Sequence, residues 1–380
     1  MTRTRNMAEI DRGTSESSRC KESKLPKIIM VALVAAFLFA SSLSLLLDPS
    51  SEIPPAPVLV RISYTSHANI YINGNAGFLG LNTSTGISWG SGTASDPYII
   101  QGWDIGALSA DGIWIRNANV YFIIRNCYLN CGGNNWDGVR LTSCSNGIIV
   151  NNLIKENHEG IRLDSSSSNT LSNNSCLSNV INGICLNHSS SNTLSYNILS
   201  TAWMEPSPDR GIYLLSDSNY NTLSNNNCSS NDYYGIYVYS SSSNTLSWNQ
   251  LRDNVREGVR IDSGSGNTIC NNTFIGNRGA GSVYDVNHIQ ARDNGTNNWW
   301  NASGTPHGYG NNWSDWRAPD VNWDGIVDNP YNISGTAGAK DYYPLTIPGT
   351  PIPEFSEIIV PMVGLMLIAL VFRRVRKSLS

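Results

Sequence analysis

A repeated glycine step is the feature that most constrains the fold of this chain. Each row of the repeat begins with Gly-apolar-x-apolar, and successive rows start 26, 22, 23, 28, 24 and 23 residues apart. A fixed period in this range is typical of a solenoid, in which each row stacks on the one before. The rows are Gly112-Ile-Trp-Ile115, Gly138-Val-Arg-Leu141, Gly160-Ile-Arg-Leu163, Gly183-Ile-Cys-Leu186, Gly211-Ile-Tyr-Leu214, Gly235-Ile-Tyr-Val238 and Gly258-Val-Arg-Ile261.

The second half of each row contains recurring asparagines. One set precedes Thr-Leu or Thr-Ile, and a second set follows a few residues later. They are Asn169, Asn192, Asn221, Asn244 and Asn267, then Asn152, Asn174, Asn197, Asn226, Asn249 and Asn272. Short segments of period 2 between Gly, Ser and Asn predict strands joined by tight turns. Asn tolerates the left-handed backbone, and its amide can bond an identical Asn one row away.

These patterns predict an all-β fold, a single-stranded parallel β-helix whose coils lie about 4.8 Å apart. Ile161 and Leu163, with their equivalents, should fill the interior, and Arg162 should point outward. The right-handed preference of parallel crossovers favours a right-handed coil.

Uncharged segments near both termini predict export and attachment to the envelope. The stretch 28–47 suits a signal peptide or signal-anchor helix. Within 354–380, the uncharged run 358–372 is followed by a basic tail that suits a membrane stop. The full division that we expect is a basic region 1–27, the apolar segment 28–47, a linker 48–57, N-terminal coils and cap 58–110, repeats 111–280, a Trp-rich cap 281–345, a Pro-rich tether 346–353 and the terminal segment 354–380.

The exported part of the chain is acidic. Between residues 58 and 350 there are 21 Asp and Glu against 14 Lys and Arg, a net charge of −7, which argues against nucleic acid as a partner. Seven of the eight cysteines fall in this part. Cys176 and Cys228 share a column two coils apart, beyond disulfide reach, so we expect core residues. Cys127 with Cys131 or Cys144 is the plausible disulfide.

Several stretches of the chain resemble one known family. They are Asn73-Gly-Asn-Ala76, Tyr121-Phe-Ile-Ile-Arg-Asn-Cys127, the repeated Asn-Thr-Leu-Ser, Gly310-Asn-Asn-Trp-Ser-Asp315 and Asp341-Tyr-Tyr-Pro-Leu345. Together they look like the archaeal NosD-like (periplasmic copper-binding type) right-handed β-helix proteins. The resemblance implies a pectin-lyase-like solenoid at the cell surface. The family label implies copper. The exported part of the chain, residues 58–350, has a single methionine, Met204, and its histidines share no ligand spacing, so we do not expect a copper site.

The tail that begins Pro353-Glu-Phe-Ser356 is similar to archaeal C-terminal sorting signals. That likeness implies processing by an archaeosortase-type enzyme and attachment to the envelope. A plain membrane anchor is the other interpretation of the same segment.

A candidate calcium loop lies in the Trp-rich segment. Asp320, Asn322, Asp324 and Asp328 alternate, Gly325 allows a sharp turn, and Ile326 would offer its carbonyl. This order matches the first nine positions of a calcium loop. The twelfth position is Tyr331, where a bidentate Glu is expected, and another carboxylate, such as Asp315 or Asp341, could complete the shell. An Asx-rich turn without metal is the alternative.

An outward column of the predicted strands is the candidate carbohydrate-binding face. Aromatic rings stack on sugars, and arginine can bond uronates or hydroxyls bidentately. A ladder of side chains that only stabilises the sheet is the alternative. The column comprises Trp114, Arg140, Arg162, Cys185, Tyr213, Tyr237 and Arg260, and beside it, before each glycine, run Asp111, Asp137, Glu159, Asn182, Arg210, Tyr234 and Glu257.

Two coils also bring together groups suited to catalysis. The candidates Asp137, Arg140, Glu159 and Arg162 could support acid–base cleavage of a glycosidic bond or a lyase reaction, with His158 and Asp164 nearby. Charged residues on an exposed strand face, however, usually form only a solvated surface. We expect a non-catalytic envelope protein that binds glycans or mediates surface contacts, with a polysaccharide lyase or glycosidase as the alternative.

N-glycosylation is expected of an exported chain with many Asn-x-Ser/Thr sequons. Asn82, Asn294 and Asn332 are the best candidates because they stand in irregular segments.

Overall fold

The computed structural model describes residues 64–79, 85–133, 135–200, 209–302, 309–317, 319–322 and 324–346. These residues wind into coils whose strands stack into three parallel sheets. In one coil the chain passes through β11 (Glu159–Asp164) of the second sheet, β12 (Thr170–Ser172) of the third and β13 (Ser175–Leu177) of the first, and it then returns to the second sheet in β14 (Asn182–Asn187). The predicted right-handed parallel β-helix is confirmed.

The remaining strands follow the same order in every coil. The first sheet also contains β1 (Thr65–Ser66), β4 (Trp103–Ile105), β7 (Tyr128–Leu129), β10 (Leu153–Lys155), β16 (Ile198–Ser200), β19 (Asn227–Cys228), β22 (Gln250–Arg252), β25 (Thr273–Ile275) and β27 (Asn312–Trp313). The second sheet, which holds β11 and β14, also contains β2 (Ile70–Asn73), β5 (Ile113–Arg116), β8 (Val139–Thr142), β17 (Arg210–Leu215), β20 (Ile236–Tyr239), β23 (Val259–Ser265) and β26 (Ala291–Thr296).

The third sheet holds β12 together with β3 (Tyr98–Gln101), β6 (Phe122–Arg125), β9 (Gly147–Val150), β15 (Thr193–Ser195), β18 (Thr222–Ser224), β21 (Thr245–Ser247) and β24 (Thr268–Cys270). An antiparallel pair, β28 (Tyr331–Asn332) and β29 (Lys340–Asp341), follows the solenoid. Short 3-10 turns lie at Asn75–Phe78 and Asn277–Gly279. Among the described residues, no helix is long and apolar enough to cross a membrane, and both 28–47 and 354–380 lie outside those residues.

The glycine that opens each row is required by the close approach of consecutive coils. A Cβ atom on Gly183 would lie 2.7 Å from the carbonyl oxygen of Gly211 and 2.7 Å from Cδ2 of Leu199. The same clash with the next glycine's carbonyl recurs at Gly160 and Gly235. A larger residue would push the coils apart, so the repeat that identifies the fold is a packing requirement.

Matching apolar side chains fill the interior at each level of the solenoid. Ile161 pairs with Ile184, and Leu163 pairs with Leu186, and all four are fully buried. Arg162, which lies between the two inward residues of its strand, points outward as predicted. The core is therefore a stack of single-residue columns that runs along the rod.

Buried asparagines connect the coils as hydrogen-bonded ladders. Asn226 donates from Nδ2 to Oδ1 of Asn249 at 3.0 Å and accepts from Nδ2 of Asn197 at 2.9 Å. Both predicted ladders are confirmed, since the set that contains Asn192 and Asn221 bonds in the same way. The sequence reasoning missed a third ladder, formed by Asn157, Asn179, Asn231, Asn254 and Asn277.

The cysteines of the described chain are buried free thiols. The proposed pairing of Cys127 with Cys131 or Cys144 is wrong. The Cys127 thiol donates to the carbonyl of Arg125, and the Cys144 thiol donates to that of Ile115. Cys176 and Cys228 lie in one column with Leu199 between them, as predicted. Burial raises the pKa of the Cys127 and Cys131 thiols to about 11, so both stay protonated and unreactive.

Aromatic side chains close the C-terminal end of the core. Trp313 stacks on Phe274 of the last complete coil at 4.1 Å, and Tyr331 stacks on Trp313 at 3.9 Å. Trp300 is buried beside them, whereas Trp299 is half exposed, so only part of the predicted tryptophan set forms the plug. Strands β26 and β27 continue the second and first sheets beyond residue 280, where we expected only a cap.

Candidate functional site

The predicted outward column is continuous in the structure. Trp114 pairs with Arg140, and Arg140 with Arg162, on neighbouring strands of the second sheet. The register continues through the remaining members, Cys185, Tyr213, Tyr237 and Arg260. One member differs from expectation, because Cys185 is only 2% exposed. Its small side chain lies beneath larger neighbours, so it cannot contact a ligand.

A second outward column lies two residues further along the strands and includes two carboxylates, Asp164 and Asp262. Asp164 accepts from Nε of Arg162 at 2.8 Å and from a terminal nitrogen of Arg140 at 3.0 Å. Asp262 accepts from Nε of Arg260 at 2.7 Å and from the Tyr237 hydroxyl at 2.9 Å. Sequence reasoning missed Asp262, although the repeated Arg-x-Asp in one strand was a usable signal.

These ion pairs keep both carboxylates charged. Partial burial alone would raise the pKa of Asp164, but hydrogen bonds from Arg162 and Asn187 lower it below its ordinary value. Burial acts in the same way on Asp262, and hydrogen bonds from Arg260 and Asn294 outweigh it, so that pKa is also lowered. The face therefore presents paired positive and negative groups at neutral pH. A surface that bonds both hydroxyls and carboxylates requires such groups.

The acids that precede the row glycines are buried rather than outward. Asp111 accepts through Oδ1 from the backbone N–H of Asp137 at 2.8 Å, and Asp137 accepts from that of Glu159 at 3.1 Å. Glu159 in turn accepts through Oε1 from Nδ2 of Asn182 at 2.7 Å. The prediction that these residues are exposed beside the outward column is wrong. They form a fourth inter-coil ladder, in which each carboxylate bonds a group of the next coil.

The structure does bring the candidate catalytic residues together. Oε2 of Glu159 accepts from Arg162 at 3.1 Å, and Nδ1 of His158 lies 3.3 Å from Oδ1 of Asp137. Burial, and then the charge of Asp137, raise the pKa of Glu159 against the opposing charge of Arg162. The hydrogen bond to Asp137 raises the pKa of His158. Glu159 is only 3% exposed, and both of its oxygens are hydrogen-bonded within the protein.

Tyrosines and arginines form the C-terminal half of the face. The rings of Tyr213 and Tyr237 stack in parallel with centroids 5.0 Å apart. The Arg210 guanidinium lies 4.5 Å from the Tyr213 ring, and that of Arg260 lies 5.3 Å from the Tyr234 ring. Because the stacked tyrosines cover each other's faces, this region offers ring edges, hydroxyls and guanidinium groups rather than a flat aromatic surface.

The candidate calcium loop folds as a set of Asx turns. Asp320 accepts through Oδ2 from the N–H of Gly325 at 2.9 Å, and Asp324 accepts from that of Ile326 at 2.9 Å. Asp328 accepts from the N–H of Val321 at 2.8 Å. Asn322 donates through its amide to Asp324.

The two carboxylates named as possible further ligands bond other groups in the structure. Asp315 accepts from Gln290 and Tyr331, and Asp341 accepts from Asn311 and Trp313. In the described part of the chain, no three His, Cys, Asp or Glu side chains group to hold a metal ion.

The three-sheet coil defines the class of protein as a parallel β-helix, and its second sheet carries a polar outward face. The chain matches the family described as periplasmic copper-binding protein (NosD) over residues 68–214 and 109–318. Because these ranges together span most of the 380 residues, the chain belongs to the NosD family. That description places the family outside the cytoplasm, which supports export. Four histidines, His67, His158, His188 and His288, lie within the described residues, and His307 and Met204 lie outside them.

Solved structures similar to this chain share its solenoid fold. The alginate lyase from Paenibacillus sp. matches with a TM-score of 0.40 and 12% identity, covering 61% of this chain and 86% of its own. The Azotobacter vinelandii mannuronan C-5 epimerase AlgE4 A-module matches at 0.40 and 13%, covering 61% and 72%. A mutant of the periplasmic alginate epimerase AlgG matches at 0.38 and 12%, covering 61% and 68%. At this similarity none of them carries an argument about activity. A comparison with curated proteins gives no match.

Proposed function

We propose that this protein is an exported, envelope-anchored rod that binds extracellular glycans through the outward face of the second sheet and does not turn them over. The observation that carries the proposal is the in-register column of tryptophan, arginine and tyrosine along that face, interrupted only at Cys185. A polymer that runs parallel to the rod would meet similar groups on both sides of Cys185, in coils about 4.8 Å apart.

The chemistry of the face favours glycans that carry hydroxyls and carboxylates. Arg140 and Arg162 converge on Asp164, and Tyr237 and Arg260 converge on Asp262. Each centre combines donors with a charged acceptor, the combination that fixes sugar hydroxyls, and arginine can take a uronate carboxylate bidentately. Mixed charge of this kind does not favour nucleic acid, which requires a basic surface.

Binding without turnover agrees with the state of the candidate acids. Asp111, Asp137 and Glu159 are buried and bonded to the next coil. These acids act as hydrogen-bond acceptors between coils, and Glu159 stands in register with Asn182, which occupies the same position in the next coil. A general acid or base must reach the proton that it transfers, and these side chains do not reach solvent.

The binding proposal is tested by comparing two arginines on neighbouring strands. Arg260 lies on the proposed face, whereas Arg252 is exposed on the first sheet. Affinity of the purified full-length protein for polyuronate and neutral polysaccharides would be measured by calorimetry. We expect Arg260→Gln to weaken binding about tenfold and Arg252→Gln to leave it unchanged. Equal effects of the two changes, or no binding by the unmodified protein, would contradict the proposal.

A polysaccharide lyase or glycosidase is the second candidate. It rests on one observation, that Glu159, Arg162, Asp137 and His158 form one connected cluster in which the Glu159 pKa is raised. Incubation of the protein with the same polysaccharides, followed by detection of new reducing or unsaturated ends, tests it. Turnover that is abolished by Glu159→Gln or Arg162→Ala would replace the binding proposal.

Attachment to the envelope is proposed from the sequence, since 28–47 and 354–380 lie outside the described residues. An archaeosortase-type enzyme would remove the segment after Pro353-Glu-Phe. Mass spectrometry of the native C-terminus tests this, because a terminus at Ser380 would leave only the plain membrane anchor.

A further inference from the structure

The third sheet carries a surface that differs from the proposed glycan-binding face. Its strands β12, β15, β18 and β21 each read Thr-Leu-Ser, and β24 reads Thr-Ile-Cys. The middle residue of each strand is fully buried, so the flanking residues point outward. In-register pairing aligns them as a column of threonines beside a column that is serine in the first four strands. These strands contain no charged residue, and the result is a flat, neutral surface of regularly spaced hydroxyls.

Three exposed aromatic side chains border this surface. Tyr196 and Trp248 lie at the turn that follows the third-sheet strand, and Tyr220 lies at the turn that precedes it. They are 58%, 60% and 67% exposed, respectively. Among the described residues none of them contacts another aromatic ring, and no hydrogen bond forms through a ring hydroxyl or indole nitrogen.

Each of these aromatics adopts a backbone conformation that is unfavourable for a bulky residue. Their φ angles are +57° for Tyr196, +58° for Tyr220 and +60° for Trp248. In adjacent coils the turn positions equivalent to Tyr196 and Trp248 are occupied by Asn173 and Asn225, which tolerate this conformation, and those equivalent to Tyr220 by Ser191 and Ser243. An exposed aromatic side chain at such a position adds no core packing, and its backbone is strained. We infer that it is present for binding rather than for stability.

The spacing of the aromatics identifies the ligand. Ser195 pairs with Ser224, and Ser224 pairs with Ser247, which places Tyr196 and Trp248 on one edge two coils apart, or about 9.6 Å. An extended β-1,4-linked polysaccharide is a flat two-fold ribbon that presents the same ring face once per disaccharide, a repeat of about this length. Polymers with α-1,4 linkages curve away from a straight edge.

We propose that this third-sheet surface binds a neutral β-1,4-linked polysaccharide in solid, ribbon-like form, as in cellulose or chitin. Sugar rings stack on Tyr196 and Trp248, and the outward Thr and Ser hydroxyls contact the adjoining chain, which reaches Tyr220 on the opposite edge. The absence of charge in strands β12, β15, β18 and β21 matches a neutral polymer. The inference is independent of the proposed function of the second sheet.

The test is co-sedimentation of the full-length protein with microcrystalline cellulose and with chitin. The double variant Tyr196→Asn, Trp248→Asn installs the residue that Asn173 and Asn225 provide in adjacent coils, so the fold is retained. Tyr342→Ser is the control, because Tyr342 is also 58% exposed but lies beyond the solenoid. We expect the double variant to lose about tenfold in retention on at least one polymer, and the control to lose none.

Thermal melts distinguish loss of binding from loss of structure. We expect the double variant to melt no lower than the unmodified protein, because Asn is favoured over Tyr and Trp at positive φ. Failure of the unmodified protein to sediment with either polymer overturns the proposal. Retention of the double variant at the unmodified level, or equal loss in Tyr342→Ser, also overturns it. Each result is separate from the Arg260→Gln test, which concerns the second sheet.

Discussion

Replacing one ladder asparagine should destabilise the rod far more than replacing an exposed residue of the same coil. The Asn226 side chain is fully buried and accepts from the N–H and Nδ2 of Asn197 at 3.1 and 2.9 Å. It donates to the Leu194 carbonyl at 2.9 Å and to Oδ1 of Asn249 at 3.0 Å. Asn226→Ala removes all four hydrogen bonds without filling the space.

The expected magnitude follows from which groups keep another partner. Nδ2 of Asn197 still bonds the Leu171 carbonyl, and Oδ1 of Asn249 still accepts from the backbone N–H of residue 226. The N–H of Asn197 loses its acceptor, and a buried unpaired donor costs about 1–3 kcal/mol. With the net loss of the other bonds, we expect Asn226→Ala to reduce the free energy of unfolding by about 3 kcal/mol.

Urea unfolding followed by far-ultraviolet circular dichroism measures this loss. Thr222→Ala in the same coil is the matched control, because its side chain is exposed and the change should stay within about 0.5 kcal/mol. A second variant, Asn226→Asp, keeps the acceptor and removes the donor, so its stability should recover as pH falls and the buried acid is protonated. If Asn226→Ala and Thr222→Ala were equally stable, the ladders would not hold the coils together.

Three further predictions concern the C-terminal region. Burial raises the pKa of Asp341 to about 6 against hydrogen bonds from Trp313, Asn311 and Tyr343. Since the folded pKa lies above the unfolded one, stability should fall by about 3 kcal/mol as pH rises from about 4 to above 6, and pH-dependent melts of Asp341→Asn should lack that slope. We also propose that calcium binds the loop 320–328. Calcium should then raise the melting midpoint above that measured with a chelator, and Asp324→Ala should abolish the rise. Identical midpoints with calcium and with chelator would show that the loop is only an Asx-rich turn. Finally, glycopeptide mass spectrometry should find sugar on exposed Asn332 rather than on Asn294, which is half-buried in β26 with its amide donating to Asp262; an unmodified Asn332 would contradict this.

Much of the fold could be predicted because the repeat states one packing rule in each coil. Glycine recurs at the position of Gly183 because the next coil's carbonyl leaves no room for a Cβ atom. Asparagine recurs at the position of Asn192 because its amide joins two coils by hydrogen bonds. The third ladder was missed because Asn157 and Asn179 do not stand in a repeated tripeptide, although both precede the row glycine by a similar distance.

The candidate site was predictable in outline but not in depth. Alternation along the strand correctly placed Arg140 and Arg162 outward. Glu159 opens β11 two residues before Ile161, so alternation would place it inward, whereas its charge led us to expect it beside the outward column. In the structure it is buried and bonds Asn182 of the next coil. Spacing along the chain also gave no information on whether cysteines such as Cys127 and Cys144 face each other, and in the structure each thiol bonds a backbone carbonyl.

The antiparallel pair and aromatic plug at the C-terminal end have a consequence for assembly. A parallel solenoid is open by construction, because its last coil offers unpaired strand edges to the first coil of another molecule. Trp313 and Tyr331 cover the core at that end, and β28 and β29 run antiparallel to each other. Ser334 and Leu345 bridge β26 and β27, the last strands of the second and first sheets, so less free strand edge remains there for a second solenoid. We therefore expect copies of this protein not to join end to end into filaments.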